Sequence, residues 1–411
     1  MFRVRLTVAM AEVFVYDSVR TPIGRYGGAL SGVRPDDLAA HVVRTLVERA
    51  PALDPARIDD VYLGDANGAG EDNRDVARMA VLLAGLPTSV PGATINRLCG
   101  SGMEAVIAAA RAVQTGDASL VLAGGVESMS RAPFVLLKSA RGFPAAHEQL
   151  WSTTLGWRMT NPAMPDAFTP SLGECTELLA ERYGIGREAQ DVFAAGSHAR
   201  AAAAWDAGVY TDGERPEVAA PAGVDLPRDE SIRPGTTVEG LAALKPAFRP
   251  DGTITAGNAS PLNDGAAAVF VGDAAAGETL GLEPLARVVS RGVAAVDPVD
   301  FGIGPVEAAR RALERAGTDF ADLTRVELNE AFAAQSLACL ADWPELDPAV
   351  VNVDGGAIAL GHPLGCSGTR VVGHLARALH AEAGAAARPV RGLAAICIGV
   401  GQGLAVVLES V

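Results

Sequence analysis

The chain has 411 residues, 49% of them hydrophobic and 20% charged. That is enough apolar material for two or three ordinary domains or one large α/β unit, and it excludes disorder for the bulk of the chain. Lys+Arg number 34 against 49 Asp+Glu, a formal charge of −15, which excludes general nucleic-acid binding because phosphate attraction needs clustered positive charge. An anionic ligand then requires a local basic spot or a helix N-terminus.

No apolar run reaches the ~18 residues that a membrane helix needs, so no membrane partner is expected. The apolar stretch of the opening MFRVRLTVAMA is too short for a secretion signal. It reads as a ragged start, with Met10 a candidate first residue. EVFVYD follows as an alternating strand. Residues 36–68 read as an amphipathic helix, a turn and a strand starting near Asp60. ATINRLCGSGMEAVIAAARAVQTG then supplies a strand, a Gly-rich turn and a helix, and SLVLAGGVESMS another strand.

From about 130 to 262 the texture changes. Pro, Gly and acidic residues are frequent and the periodicity is irregular, with helices expected at 174–183 and 187–205. Such an excursion reads as an inserted loop domain. Residues 305–333 then repeat the grammar of 36–68. VNVDGGAIALGHPLGCSGTRVVGHLARAL repeats the strand, turn and helix with a longer turn, and GLAAICIGVGQGLAVVL matches SLVLAGGVESMS. Strands alternating with helices predict parallel sheets covered by helices. The duplication predicts two such halves, with a site where their equivalent turns meet. The expected division is 1–129 with 263–283, a loop domain at 130–262, and a second half at 284–411.

The five cysteines, Cys99, Cys175, Cys339, Cys366 and Cys397, form no CxxC pair, so zinc-ribbon and disulfide-scaffold readings fail and a reducing cytoplasm suits the chain. Cys339 and Cys366 read as core residues. Cys99 stands at the start of a helix behind a Gly-rich turn, where a helix N-terminus lowers a thiol pKa; it is a candidate nucleophile, weighed against a buried apolar Cys. His362, between Gly361 and Pro363, lies in the equivalent turn of the second half and is a candidate base for such a thiol. Cys397 ends an apolar strand that opens into Gly399, Gly401 and Gly403; their bare N–H groups suit an oxyanion, and no dinucleotide fingerprint fits. Asn329 and Glu330 leave the strand VEL as candidates for orienting a substrate oxygen and for acid/base work, or for plain helix capping.

NRLCGSGMEA, GGVESMSRAPF, LKPAFRPDGTITAGNAS, ELNEAFAAQ, NVDGGAIALGHPLGCSGTR and CIGVGQG together resemble the thiolases, the acetyl-CoA acyltransferases, over nearly the whole chain. The resemblance implies a five-layered αβαβα sandwich of two duplicated halves plus an inserted loop domain. It also implies Cys99 as the acylated nucleophile, His362 as its activator and Cys397 as the second acid/base. Asn329 with His362 forms one oxyanion hole, and the Cys99 and Gly399 N–H groups form the other. Coenzyme A enters as a substrate, with no permanent cofactor and no metal, and Arg233, Leu244, Ala256 and Ser260 match its contacts. Pro261 and Gly240 depart from the family pattern there.

VRTPIGRYGGAL, GEDNRDVARMAVLLAGLP and TTLGWRMTNPAM look most like the β-ketoadipyl-CoA thiolases, which cleave 3-oxoadipyl-CoA to succinyl-CoA and acetyl-CoA, although SLGECTE departs from that group. A dicarboxylic substrate calls for a cation, with Arg158 and Arg131 as candidates. The family implies a homodimer or homotetramer. The rivals are a general acetoacetyl-CoA or fatty 3-ketoacyl-CoA thiolase, a decarboxylating condensing enzyme, a non-catalytic acyl-CoA binder and a thiol redox sensor.

Overall fold

Alternation along the strands sorts their side chains into separate layers. The structure, a computed structural model, describes residues 11–384 and 388–411; the expected ragged start and the choice of Met10 lie outside them. The first part runs β1 (Phe14–Arg20), β2 (Gly24–Arg25), α1 (Pro35–Glu48), β3 (Asp60–Gly64), α2 (Val76–Leu83), β4 (Ala93–Ile95), α3 (Ser101–Thr115) and β5 (Leu120–Ser128). Next come β6 (Phe134–Leu136), β7 (Leu150–Ser152), α4 (Leu172–Tyr183), α5 (Arg187–Asp206) and α6 (Val238–Ala242). The chain then forms β8 (Asn263–Gly272), α7 (Ala274–Leu280), β9 (Ala286–Ala295), α8 (Gly304–Ala316), β10 (Leu323–Leu328) and α9 (Ala333–Ala341). It closes with α10 (Ala357–Leu360), α11 (Leu364–Ala383), β11 (Arg391–Ile398) and β12 (Gln402–Ser410).

The main sheet has the order β10-β11-β12-β9-β1-β8-β5-β3-β4. Read from the centre outward, β1-β8-β5-β3 and β9-β12-β11-β10 are the same arrangement twice, as the duplication in the sequence predicts. The two meet where β1 pairs β9 through Phe14↔Arg287 and Val15↔Ala286. The sheet is mixed rather than parallel. β3 runs parallel to β4 and β5, and β10 to β11, but β5 meets β8 and β11 meets β12 antiparallel. The reason lies in the connections: Gly399–Gly401 is a three-residue link, too short for the crossover that a parallel pair requires.

Leu120 and Leu122 of β5 face the core that α1 and α2 cover with Leu38, Val42, Val76 and Ala80. Val121 and Ala123 face the opposite core, shared with Met103 and Val106 of α3, Val371 and Leu375 of α11, and Ala394 and Ile396 of β11. Leu393 and Ala395 turn away into a third core beneath Val306, Ala309 and Leu313 of α8 and Cys339 of α9. The layers are therefore helix, strand, helix, strand, helix, with α3 and α11 in the middle. These two helices touch closely: a Cβ on Gly102 would lie 2.4 Å from the Gly365 carbonyl.

The strand expected at VNV shrinks to one bridge, Val326↔Val351. Asn352 leaves strand geometry at φ +47°, and its side chain accepts from the Leu328 N–H (2.9 Å) and donates to the Leu328 carbonyl (2.8 Å), so an amide replaces the backbone ladder. The two helices expected between the halves are present, α4 beginning at Leu172 because Ser171 caps the Glu174 N–H.

Behind α11 a buried charge network ties the inserted segment to the sheet. His374 meets Glu217 (2.7 Å) and Asp354 (3.1 Å), and Arg20 meets Glu217 (2.8 Å) and Asp229 (2.7 Å). Burial alone would lower the His374 pKa, but Glu217, Glu327 and Asp354 together raise it to about 10. An imidazolium favoured by folding stabilises fully below the unfolded value near 6.5, and that contribution disappears as pH rises through 10. His374→Ala is expected to cost about 3–5 kcal/mol at pH 6, because it strands buried carboxylates. Denaturant unfolding at pH 6 and pH 10 checks this: the difference from the parent protein should shrink at the higher pH.

Candidate active site

The Cys99 turn is built by its neighbours. The Asn96 side chain accepts the Leu98 N–H (2.9 Å) and holds Leu98 at φ +48°, after which Gly100 caps α3. Gly100 is required there, since a Cβ would lie 2.5 Å from the Ile398 side chain. The cysteine is thereby pressed against the second half of the molecule. Cys99 is 7% exposed, and the Gly399 N–H lies near enough to its sulfur to favour the thiolate.

Gly399 belongs to the turn between β11 and β12, where Val400 and Gly401 take positive φ. Cys397 sits two residues earlier, opposite Gly403 and 1% exposed. β10 lies parallel to β11, and the Asn329 N–H donates to the Ala395 carbonyl (2.9 Å), which seats Asn329 beside the Cys397 strand. The Asn329 Nδ2 lies 3.4 Å and 3.5 Å from the two ring nitrogens of His362. Its Oδ1 is buried without a hydrogen-bond partner among the described residues, so the amide has one polar atom to offer a ligand. Cys99 and Cys397 thus neighbour each other, as Asn329 and His362 do, and Cys99 and His362 each stand just before an inner helix begins.

His362 is fixed from two sides. Its N–H donates to Asn263 Oδ1 (2.8 Å), and its Nδ1 lies 2.6 Å from Ser367 Oγ. The Ser367 hydroxyl hydrogen is committed to the Pro363 carbonyl (3.0 Å). Its oxygen therefore accepts from Nδ1–H, which assigns the neutral tautomer with a free lone pair on Nε2. Burial, helped by the Arg370 charge, lowers the His362 pKa to about 3. The imidazole is a neutral base at physiological pH.

The thiols move the other way. Burial pushes Cys99 up to about 11, against the downward pull of the Gly399 N–H. Cys397 rises as well, through burial and the neighbouring Cys99 and Cys339 sulfurs. The expected lowering of Cys99 by its helix is overturned. A helix end contributes roughly 0.3–1 kcal/mol, less than the cost of taking a thiolate out of water. At rest both thiols and the imidazole are neutral.

Two neutral thiols that neighbour each other, and a neutral imidazole beside an unpaired amide, suit transfer of an acyl group between sulfurs. Comparisons with known proteins decide the family. Residues 13–275 match the thiolase N-terminal domain and residues 282–410 the thiolase C-terminal domain. The chain belongs to the thiolase family. It is an acetyl-CoA acyltransferase. It is 53% identical over 407 residues to the β-ketoadipyl-CoA thiolase of Escherichia coli, covering 98% of this chain and 100% of the relative. It is 50% identical over 406 residues to that of Pseudomonas putida, with the same coverage. The crystal structure of human mitochondrial 3-ketoacyl-CoA thiolase in complex with CoA superposes with a TM-score of 0.89 at 37% identity, covering 98% of this chain and 99% of that one.

In this thiolase the four residues expected at coenzyme A lie on the inserted segment and its return to the sheet. Leu244 borders Gly257, next to Ala256; the Ser260 N–H donates to the Ala331 carbonyl (3.0 Å); and the Arg233 N–H donates to His198 on α5 (3.2 Å). Gly240 is the third residue of α6, its N–H capped by Thr237, and Pro261 is half-buried just before β8. Glu330 is structural: its carboxylate accepts from Ser197, Asn352 and the Ile358 N–H. Arg131 is also committed, held by both oxygens of Glu71 (2.5 and 2.7 Å).

Three polar residues escaped the sequence reading. Ser367 and Asn263 orient His362, as above. Glu127 accepts from both the Ala66 N–H (3.0 Å) and the Gly365 N–H (2.9 Å), which joins the two halves beneath the site. Ser367 stands five residues beyond His362 in GHPLGCSG, and an i,i+5 reach across a helix start is the signal that identifies it. Asn263 and Glu127 have no such local sign.

Proposed function

We propose that the enzyme cleaves 3-oxoadipyl-CoA with free CoA, giving succinyl-CoA and acetyl-CoA. Cys99 Sγ attacks C3 of the substrate as His362 Nε2 takes its proton. The new Nε2–H then donates to the developing oxyanion, so one nitrogen serves first as base and then as donor. The C2–C3 bond breaks, and the acetyl-CoA carbanion takes its proton from Cys397 while its thioester oxygen is held by hydrogen-bond donors. Succinyl stays on Cys99 as a thioester. Free CoA gives its thiol proton to Cys397, attacks that thioester and leaves as succinyl-CoA, and the Cys99 thiol is restored.

The observations that support this reading are the Cys99 and Cys397 sulfurs side by side at the Gly399 turn and the Asn329 amide against a neutral His362. The substrate follows the relatives' names. Arg233, Leu244, Ala256 and Ser260 are proposed to hold CoA, Arg233 at its anionic nucleotide end. Residues 130–262 are proposed as a loop domain between halves made of 1–129 with 263–283 and of 284–411.

A homodimer or homotetramer is proposed. Apolar side chains exposed on the β6–β7 segment, Phe134, Leu136 and Leu150 among them, support self-association. The five free cysteines support a cytoplasmic setting, and no helix of the described residues is long and apolar enough to cross a membrane.

A panel of 3-oxoacyl-CoAs with free CoA tests the substrate. The expected result is a kcat/KM for 3-oxoadipyl-CoA at least roughly 10-fold above that for acetoacetyl-CoA, the advantage of about one good charged contact. Preference for acetoacetyl-CoA or for a fatty chain overturns it.

A further inference from the structure

Arg158 is a cation held in position and left unneutralised. Its Nη2 donates to Asn67 Oδ1 (3.1 Å), and Asn67 is itself oriented by donating through Nδ2 to Thr153 Oγ1 (3.0 Å). Thr153 is fixed in turn by the Pro133 carbonyl (2.7 Å). A guanidinium has five N–H donors, and among the described residues Arg158 spends one, on a neutral amide. The other arginines at this end are spent on carboxylates: Arg131 on Glu71, Arg97 on Glu104 and Arg249 on Glu174. In a chain of charge −15, Arg158 is thus a half-buried arginine with a prepared orientation and no counter-ion among the described residues.

Two separate ties connect this cation's segment to the Cys99 turn and to the neighbourhood of the Gly399 turn. On one side, Ala66, next to Asn67, accepts the Asn96 side-chain N–H (2.8 Å), and Asn96 shapes the turn that carries Leu98 and Cys99. On the other, Trp157 Nε1 donates to the Pro170 carbonyl (3.3 Å), just before Leu172. Leu172 and Leu98 are the side chains closest to where a Cβ on Gly399 would stand, at 3.6 and 3.8 Å. The segment 157–158 is therefore tied on one side to the turn that carries Cys99 and on the other to the residues just before Leu172, which borders Gly399.

We propose that Arg158 is the specificity-determining cation, which receives the terminal carboxylate of a dicarboxylic 3-oxoacyl-CoA. This deepens the substrate reading given above and rests on it. The carboxylate carbon lies three bonds beyond the carbon that Cys99 attacks, so the binding partner has to stand at the pocket rim. Apolar Leu98 and Leu172 accommodate the methylenes between. Of the two arginines that the sequence offers, Arg131 is excluded because Glu71 already holds its fork, and a planar fork is the group that pairs a carboxylate best.

The test compares 3-oxoadipyl-CoA with 3-oxohexanoyl-CoA, a chain of the same length ending in methyl. The readout is the ratio of their kcat/KM values, from which any loss of folded fraction cancels. Arg158→Met is expected to lower this ratio roughly 10- to 100-fold, the scale of one lost charged hydrogen-bonded contact. Arg158→Lys, which keeps the charge and loses the fork, is expected to give an intermediate ratio. A parent ratio well above one that persists in Arg158→Met overturns the role of Arg158 and leaves the substrate reading standing. A parent enzyme that does not favour 3-oxoadipyl-CoA overturns both.

Discussion

Cys99→Ala is expected to abolish CoA-dependent cleavage, with a loss of at least roughly 10⁴-fold in kcat, as removal of a covalent nucleophile does. No other group at this site replaces it. The Cys397 thiol is more deeply buried and is itself pushed well above its usual range, and the Gly399 N–H favours the Cys99 thiolate. Acyl groups from labelled substrate should appear on the peptide carrying Cys99 in the parent enzyme and on no peptide in the variant. Label on any other residue sinks the assignment.

The same cysteine carries a pH signature. A thiol raised to about 11 by burial is protonated at neutral pH, and its thiolate fraction grows tenfold per pH unit up to that value. Alkylation of the free enzyme by iodoacetamide should therefore keep rising through pH 8–10. A plateau near pH 7 would instead mean a preformed thiolate–imidazolium pair.

The duplication was legible because each unit announces its own helix and strand periods, and α1–β3 and α8–β10 arose where those periods stand. Strand direction was not legible. The mixed sheet follows from a three-residue turn and from β8 entering after a long insertion, and periodicity carries no sign of either. The Cys99, His362 and Cys397 turns stood out through their glycines, which mark close backbone approach. What the glycines hid was electrostatics. The reading of Cys99 as an acidified thiol used the helix end, a local feature, while the decisive quantity is burial by Ile398 and the Gly399 turn, some 300 residues away in sequence. Ser367, Asn263 and Glu127 escaped for the same reason: they act through partners that are adjacent in space after folding.

Cys397→Ala is expected to separate the two halves of the reaction. Attack by Cys99 on succinyl-CoA needs a base at sulfur, which His362 Nε2 supplies. The departing CoA normally takes its proton from Cys397, but a thiolate leaves far more readily than a carbanion, so acylation should fall by no more than about 10-fold. Proton exchange at the α-carbon of acetyl-CoA needs a base at carbon, and general acid–base catalysis by a positioned group contributes roughly 10²–10⁴-fold. That exchange, and cleavage with it, should fall by this larger factor. The matching of proton affinities is the reason: an α-carbon beside a thioester is a far weaker acid than an ordinary thiol, and the burial that raises Cys397 well above its usual range makes its thiolate a stronger base toward carbon. Deuterium uptake into acetyl-CoA, followed by NMR, reads the second factor, and label retained on Cys99 reads the first. Equal losses in both would mean that Cys397 supports the pocket without moving the proton.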